Sequence, residues 1–393
     1  MSVLNGIRVL DFGRFIAGPF CGALLGDFGA EVIRIEKVAG SEDRFTAPIG
    51  EGLPGSGFLQ LNRNKLGFTL NPRKTEGAEV LKRLVGTADV VVANLPPDTL
   101  ATMGMDYDSL TSIKHDIILT SSTAFGSKGP YATRVGFDGV AQAMSGNMHM
   151  TGYEDEPMKN YFPYVDFMTG TLNALSTIAA IMHRDQTGEG QHVEGALLAS
   201  ALSVANGTLI EQHFLKNNRV ASGNRGQTAA PSDVFQTRDG WILVQIVGNP
   251  LYERWAKLMG EDYWLEDPKF ASDESRGENA IEISDRMQKW TRDRTNEEVV
   301  RTLEDARIPC GEVLAPQQTL ENEQVAAMNF LVGTAFPGVE GMAPVARMPM
   351  DFSSIDNSIR RRAPLLGEHT DAILTDLGYT DQEIAALHEM RAV

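Results

Sequence analysis

Residues 7–36 read IRVLDFGRFIAGPFCGALLGDFGAEVIRIE, and their pattern decides the fold. The apolar run Ile7-Arg8-Val9-Leu10 has strand length, glycine follows, and Ala17, Cys21, Leu24, Leu25 and Phe28 then recur at helical spacing. Gly18-Pro19 marks the entry to that helix, where proline's missing N–H costs nothing. Gly29 stands where a C-terminal cap is wanted, and Val32-Ile33-Arg34-Ile35 is the next strand. Further along, Ala78, Leu81, Leu84 and Val85 predict another helix. Val90-Val91-Val92-Ala93 predicts a third strand ending at Asn94, and Ile117-Ile118-Leu119-Thr120 a fourth. Strands alternating with helices at this spacing predict a parallel sheet covered on both faces.

Past the sheet the character changes. Residues 221–231, ASGNRGQTAAP, are small and polar and read as a linker or active-site loop. Val234-Phe235 and Ile242-Leu243-Val244 flank Asp239-Gly240, a strong hairpin signal. From Glu253 to Arg307 the chain is dense in charge, a solvated helical surface, with Ile283, Met287 and Trp290 on one side of a helix. Residues 222–322 therefore read as a smaller α+β domain. The tail from Leu365 to Leu387 returns to helical periodicity. This gives a large domain over 1–205 and 325–393, with 206–221 and 323–324 as linkers.

The chain has 393 residues, long enough for two or three domains at roughly 100–200 residues each. Its 35 Lys+Arg against 52 Asp+Glu leave a net charge of −17. That sign disfavours a nucleic-acid partner or an anionic membrane surface, both of which reward a basic face, yet leaves room for a local basic pocket. Two cysteines, Cys21 and Cys310, are too few for a disulfide framework and fit a reducing, cytoplasmic setting. The N-terminal residues have no secretory pattern, and no run approaches about 18 uninterrupted apolar residues. The stretch Leu172 to Met182, interrupted by Asn173, Ser176 and Thr177, reads as a buried helix. The seven histidines lack helical metal-ligand spacing and no Cys-x-x-Cys occurs, so no metal is expected.

Familiar templates fail. Glu36, ending the second predicted strand, has the place of the ribose-binding acid of dinucleotide proteins, but Gly13, Gly18 and Gly22 do not make G-x-G-x-x-G. No P-loop and no G-x-S-x-G elbow is present. Ser121-Ser122 has no matched base in the sequence pattern and reads as a pair of strand-end hydrogen bonders.

A set of fragments in one order covers nearly the whole chain: Leu10-Asp11-Phe12, Ala17-Gly18-Pro19-Phe20, Gly29 through Glu36, Asn62-Arg63-Asn64-Lys65, Gly126-Ser127-Lys128-Gly129-Pro130, Gly136-Phe137-Asp138, Ala141-Gln142-Ala143, residues 187–191, Ile308-Pro309-Cys310-Gly311 and residues 363–370. In this register the sequence resembles the class III coenzyme A transferases, the family of formyl-CoA transferase and carnitine CoA-transferase. The resemblance implies a Rossmann-like large domain with a smaller one, an interlocked homodimer, and CoA as a substrate carrier with no tightly bound cofactor. It also implies that Asp166, in Pro163-Tyr164-Val165-Asp166-Phe167, is the catalytic carboxylate. From the residues alone, Asp166 reads as a cap or first-turn acid of the helix that follows. The two roles are compatible. With an ordinary pKa of about 3.9 it would attack an acyl-CoA without a general base.

Carried over by the same resemblance, Ala17, Lys37, Leu70, Arg73, Asn94 and Met103 stand at CoA-contact positions, Lys37 and Arg73 as cationic partners of phosphate. Backbone amides near Gly136 and Gly226 are candidate oxyanion donors. Where formyl-CoA transferases have glutamine, a basic residue and lysine, this chain has Ile16, Thr102 and Val135, and their glycine run is shortened to Gly223-Asn224-Arg225-Gly226. These departures argue against formate and oxalate and for a less polar acyl pocket, drawn from Ile16, Arg134, Phe137, Asp138, Arg225 and Gly226. Arg134 and Arg225 are available for a second carboxylate, which makes a dicarboxylate such as succinate the expected partner. The racemases of the family have Gly-His-Asp where this chain has Gly136-Phe137-Asp138, and phenylalanine cannot move a proton. A catalytically silent CoA-binding protein on the same fold is the remaining alternative.

Overall fold

The computed structural model describes residues 2–393. The described chain forms two compact units: one of residues 2–145, 160–209 and 328–393, the other of 146–159 and 210–327.

The first unit is built on a six-stranded sheet of β1 (Arg8–Asp11), β2 (Glu31–Glu36), β3 (Lys65–Thr69), β4 (Val90–Ala93), β5 (Ile118–Thr123) and β6 (His192–Ala196), in the order β3-β2-β1-β4-β5-β6, every pair parallel. Alternation along the strands sorts the core into two layers. Leu10, Ile33, Val91 and Leu119 face one side, with Val80, Leu81 and Leu84; Val9, Val32, Val90, Val92 and Ile118 face the other, with Leu24, Leu25 and Ile181. The helices that bury these faces include α1 (Ala17–Asp27), ended as expected by Gly29 at φ +99°, and α2 (Thr75–Thr87). Next come α3 (Asp138–Met144), α4 (Tyr164–Thr187) and α5 (Leu197–Leu215).

The four strands read from the sequence are all present. β3 and β6 were not foreseen, because neither is an apolar run: β3 begins with a buried lysine and β6 reads His-Val-Glu-Gly-Ala at the exposed edge. Lys65 is tolerated because its Nζ donates to Asp11 Oδ2 at 2.7 Å, Pro19 O at 2.7 Å and Asn62 Oδ1 at 3.1 Å. Nearby, Arg34 pairs with Asp43 at 2.7 Å and Arg44 with Glu36 at 2.5 Å. Glu36 is thus consumed by a buried ion pair, as befits a chain without the dinucleotide glycines. The tail returns to β3: Gly67 N–H donates to His369 Nδ1, His369 N–H to Gly67 O, and Thr69 N–H to Thr370 Oγ1. A Cβ on Gly67 would lie 2.7 Å from Leu365 O, so glycine is what admits this contact.

α4, with 24 residues, is long and apolar enough by composition to cross a membrane, although no such span was expected. Asp166, Thr169, Asn173 and Thr177 form a buried polar stripe along it, the opposite of a lipid-facing surface.

The second unit has the expected hairpin, β7 (Ser232–Gln236) and β8 (Trp241–Gln245), with β9 (Cys310–Glu312) paired antiparallel to β8. Its core gathers Phe235, Ile242, Val244, Trp255, Trp264, Ile283 and Met287. Two boundaries differ from the sequence reading. Residues 146–159 group here and not with the large domain, held by Gly223 N–H to Gly152 O and a bridge between Tyr153 and Ser222. Residues 206–215, expected as linker, complete α5.

Candidate active site

In an open parallel sheet, ligands bind beyond the carboxyl ends of the strands where the strand order reverses. Here the chain builds outward from β1 through β2 to β3, then crosses back to β4, so the reversal lies between β1 and β4. A cleft of about 470 Å³ opens there, of a size suited to a small-molecule ligand. It is lined by Arg14 and Phe15 after β1, Asn94 after β4, Ser122 and Thr123 at the end of β5, and Asp166 from α4.

Asp166 occupies the first turn of α4, whose free amides attract anions. Those amides already have an acid. Asp138, opening α3, accepts hydrogen bonds at Oδ2 from Val165 N–H at 2.8 Å and Asp166 N–H at 3.0 Å. Its Oδ1 takes the Gln142 side-chain amide, and Gln142 Oε1 accepts from Asn160 N–H at 3.0 Å. Asp138 is therefore a cap on α4, set behind Asp166. Gly170 brings α1 close: a Cβ there would lie 2.7 Å from Ala17 O.

Asp166 is 9% exposed. Burial first, then the neighbouring Asp138 charge, push its carboxyl up to about 7. The sequence reading of a carboxylate ionised without qualification at neutral pH is corrected by this environment. The group sits near half-ionisation there, where activated carboxyls of functional sites are found.

The structure brings together Ala17, Asn94, Arg134, Phe137 and Asp166 as lining of one cleft. Arg134 stacks over Tyr131 with its guanidinium 4.4 Å from the ring centre, and Phe137 meets Phe15 edge to face at 5.6 Å. Ile16, also expected in the pocket, immediately precedes α1 and is not among the residues that line the cleft. Asn94 is also a clamp: Arg14 N–H donates to its Oδ1 at 2.6 Å and its Nδ2 donates to Arg14 O at 2.8 Å.

The other expected residues lie elsewhere. Lys37 is exposed and paired with Glu42; Arg73 is exposed before α2. Leu70 is buried in the core of the sheet, and Met103 packs against that core, so both are spent on packing. Arg225 and Gly226 belong to the second unit, where Gly226 N–H donates to Ser232 O at 2.6 Å, and Gly136 lines the cleft of the first. Two contributors were not foreseen. Arg14 shapes the wall by donating to Phe12 O and Gly13 O. Ser122, read only as a strand-end hydrogen bonder, lines the cleft. Its neighbour Ser121 does have a base in the fold, His192 Nε2 at 2.7 Å, which faces away from the cleft across the sheet edge.

The fold and site define an α/β enzyme with a switch-point cleft and a buried, destabilised carboxyl at a helix N-terminus. The sequence model of CoA-transferase family III matches residues 4–370, and the chain belongs to that family. It is 30% identical to the succinyl-CoA–D-citramalate CoA-transferase of Chloroflexus aurantiacus over 99% of this chain and 98% of that one. It is 32% identical to the succinate–glutarate CoA-transferase of Agrobacterium fabrum over 95% of each. The crystal structure of a CAIB/BAIF family protein from Brucella suis superposes with a TM-score of 0.84 at 30% identity, covering 96% of this chain and 99% of that one.

Proposed function

We propose that this CoA-transferase moves CoA between dicarboxylic acids, with Asp166 as the group that carries the exchange. The observation that supports this reading is the Asp166 carboxyl, buried yet lining the cleft, at the N-terminal turn of α4. Its carboxylate attacks the thioester carbonyl, a C–O bond forms, the C–S bond breaks, and CoA leaves as thiolate. The thiolate attacks the Asp166 carbonyl of the resulting anhydride, forming an aspartyl-CoA thioester and releasing the donor acid. The acceptor carboxylate then attacks that thioester, and the expelled thiolate attacks the acceptor's carbonyl in the new anhydride. This yields acceptor-CoA and restores Asp166. No proton is gained or lost over the cycle, and activated acyl groups are conserved as long as water is kept out.

The apolar Val135 and the cation of Arg134 on the cleft lining, and relatives named for succinyl-CoA, succinate and glutarate, support a dicarboxylate pair. No histidine lines the cleft among the described residues, which weighs against proton exchange beside the thioester. A second copy of the chain belongs to the same reading, covering exposed Leu175 and Met182 of α4 and Val204 of α5; light scattering that returns only the 42.9 kDa chain overturns that part.

The deciding experiment is intact-protein mass spectrometry after incubation with succinyl-CoA. The wild type should gain a covalent adduct and Asp166→Ala none, with transfer lost. A variant that exchanges thioesters at undiminished speed overturns the role of Asp166. Transfer confined to monocarboxylates overturns the substrate class.

A further inference from the structure

β5 alternates between two environments. Ser121 points to one face of the sheet, toward His192. Thr120 points to the face covered by α4, where its Oγ1 lies 2.6 Å from Thr177 Oγ1. Ser122 follows Thr120 by two residues and shares that face. Its strand partner is Gly195, and a Cβ on Gly195 would lie 3.5 Å from Ser122 Cβ and 2.6 Å from Asn173 Oδ1. Ser122 therefore stands level with Asn173 on α4. Asp166 precedes Asn173 by seven residues, about 10 Å of helix at 1.5 Å per residue. The cleft that begins at Asp166 thus reaches Ser122 about two helical turns further in.

Ser122 is 3% exposed and its hydroxyl has no hydrogen-bond partner among the described residues. A buried hydroxyl without a partner is a standing cost to the folded protein, and such groups in native structures have reasons. Ala17, Ala124 and Leu197, which share the lining, are buried and apolar and offer it no partner, and the Asn173 side chain, level with it on α4, makes no hydrogen bond to it. Thr120, on the same face, is satisfied by Thr177, so the sheet–helix interface is able to satisfy hydroxyls and leaves this one alone at the cleft.

We propose that Ser122 is a specificity-determining residue: its hydroxyl hydrogen-bonds an oxygen on the acyl chain remote from the carbonyl that Asp166 attacks. The inference rests on the transfer reading given above. Its ligand class is an acid with an oxygen substituent at the far end of a short chain. A purely alkyl chain of the same length leaves the hydroxyl unpaired and gains nothing from it. A site built around one such contact discriminates through the loss of that pairing.

The test compares wild type and Ser122→Ala with succinate and with butyrate as acceptors from one acyl-CoA donor, reading kcat/KM by chromatography of the CoA products. The Ser122→Ala enzyme should lose about tenfold with succinate, the worth of one hydrogen bond to a charged or polar group, and change less than about twofold with butyrate. Its thermal midpoint without substrate should be equal to or above that of the wild type, since an unpaired hydroxyl has been removed. A parallel fall with both acids, no fall with either, or a lowered midpoint overturns the role of Ser122. A wild type that shows neither transfer nor a covalent adduct overturns the underlying reading instead, and the proposal with it.

Discussion

Replacing Asp138 with asparagine isolates the electrostatic part of the site. Asp138 Oδ2 holds the amides of Val165 and Asp166, and asparagine keeps an acceptor of the same shape there while removing the charge. Burial and that charge together carry Asp166 from 3.8 to about 7, burial being the larger cause. The share of Asp138 is then less than half of that rise, on the order of one pH unit, or about 1.4 kcal/mol. Coulomb's law sets the ceiling: at an effective dielectric of about 20, like charges even about 4 Å apart repel by only about 4 kcal/mol. In Asp138→Asn the Asp166 carboxyl should be half-ionised near pH 6. At that pH the reactive carboxylate fraction rises from about one-tenth to about one-half. Measured as kcat/KM for CoA transfer between about pH 5 and 8, the acid limb should move down by about one unit. Above about pH 8, where both enzymes are ionised, the variant should be no faster. The introduced Nδ2 opposes the Gln142 amide, which must turn and give up its bond from Asn160 N–H; that cost, about 1 kcal/mol, appears in the unfolding midpoint and not in the pH profile. An acid limb that stays in place while the plateau falls would refute the assignment of Asp166 as the titrating nucleophile beside Asp138.

Stability should record the same strain. Because the Asp166 pKa is raised in the folded state, the folded chain holds a proton that the unfolded chain has released between about pH 4 and 7; stability falls across that window and stays lowered above it. Asp166→Asn should therefore raise the unfolding midpoint at pH 8, by at most about 4 kcal/mol, and barely change it at pH 4; equal gains at both pH values would contradict this. Lys65→Met strips Asp11 of its 2.7 Å partner and leaves a buried carboxylate with the Gly13 N–H at 2.8 Å and Arg34 at 3.8 Å, so urea unfolding should show a loss of about 3–5 kcal/mol, and a loss under about 1 kcal/mol would be inconsistent with a buried ion pair. Gly67→Ala places a methyl 2.7 Å from Leu365 O and 2.9 Å from Pro364 Cβ, and hydrogen exchange at residues 363–370 should rise with a destabilisation of about 1–3 kcal/mol; unchanged protection there would show that the returning tail does not depend on this approach.

What could be read from the sequence follows from where apolar periodicity is enforced. Central strands are buried on both faces, so Val9-Leu10, Val32-Ile33 and Val90-Val91-Val92 announce themselves. The edge strands break that pattern for different reasons: β3 is buried, but Lys65 is held by Asp11, Pro19 and Asn62 and Gly67 admits the returning tail, whereas β6 lies at the exposed edge and contains Glu194 and Gly195. The hairpin of the second unit was legible through Asp239-Gly240, because two-residue turns demand special residues. Asp166 was legible only through the family resemblance, since a first-turn acid is ordinary. Its capping partner is Asp138, 28 residues away, and no local pattern reports such a pair. Leu70 and Met103 show the converse. A motif position fixes a place in the chain, while burial in the sheet core decides whether the side chain meets ligand or neighbour. Ser122 failed to stand out for a different reason: its signal is a missing partner, which exists only once β5, β6 and α4 are assembled.

The placement of Asp138 behind Asp166 raises the question of why the carboxylate we propose as nucleophile should be made hard to ionise. For oxygen nucleophiles of one type, reactivity rises with basicity, while the fraction present as carboxylate falls once the pKa passes the working pH. The product of the two is greatest near the crossing point, and a pKa of about 7 puts Asp166 at that point under neutral conditions. The same burial favours transfer over hydrolysis, because the walls that raise the pKa also exclude the water that would consume an anhydride or a thioester. An exposed aspartate would be almost wholly ionised yet weakly basic and open to water. On this account Asp138 serves twice: its hydrogen bonds hold the first turn of α4 in register, and its charge raises the basicity of the Asp166 carboxyl, whose own amide it accepts from together with that of Val165. Asp138→Ala removes both functions and Asp138→Asn only the second. The difference in plateau rate between the two variants therefore measures what positioning alone contributes.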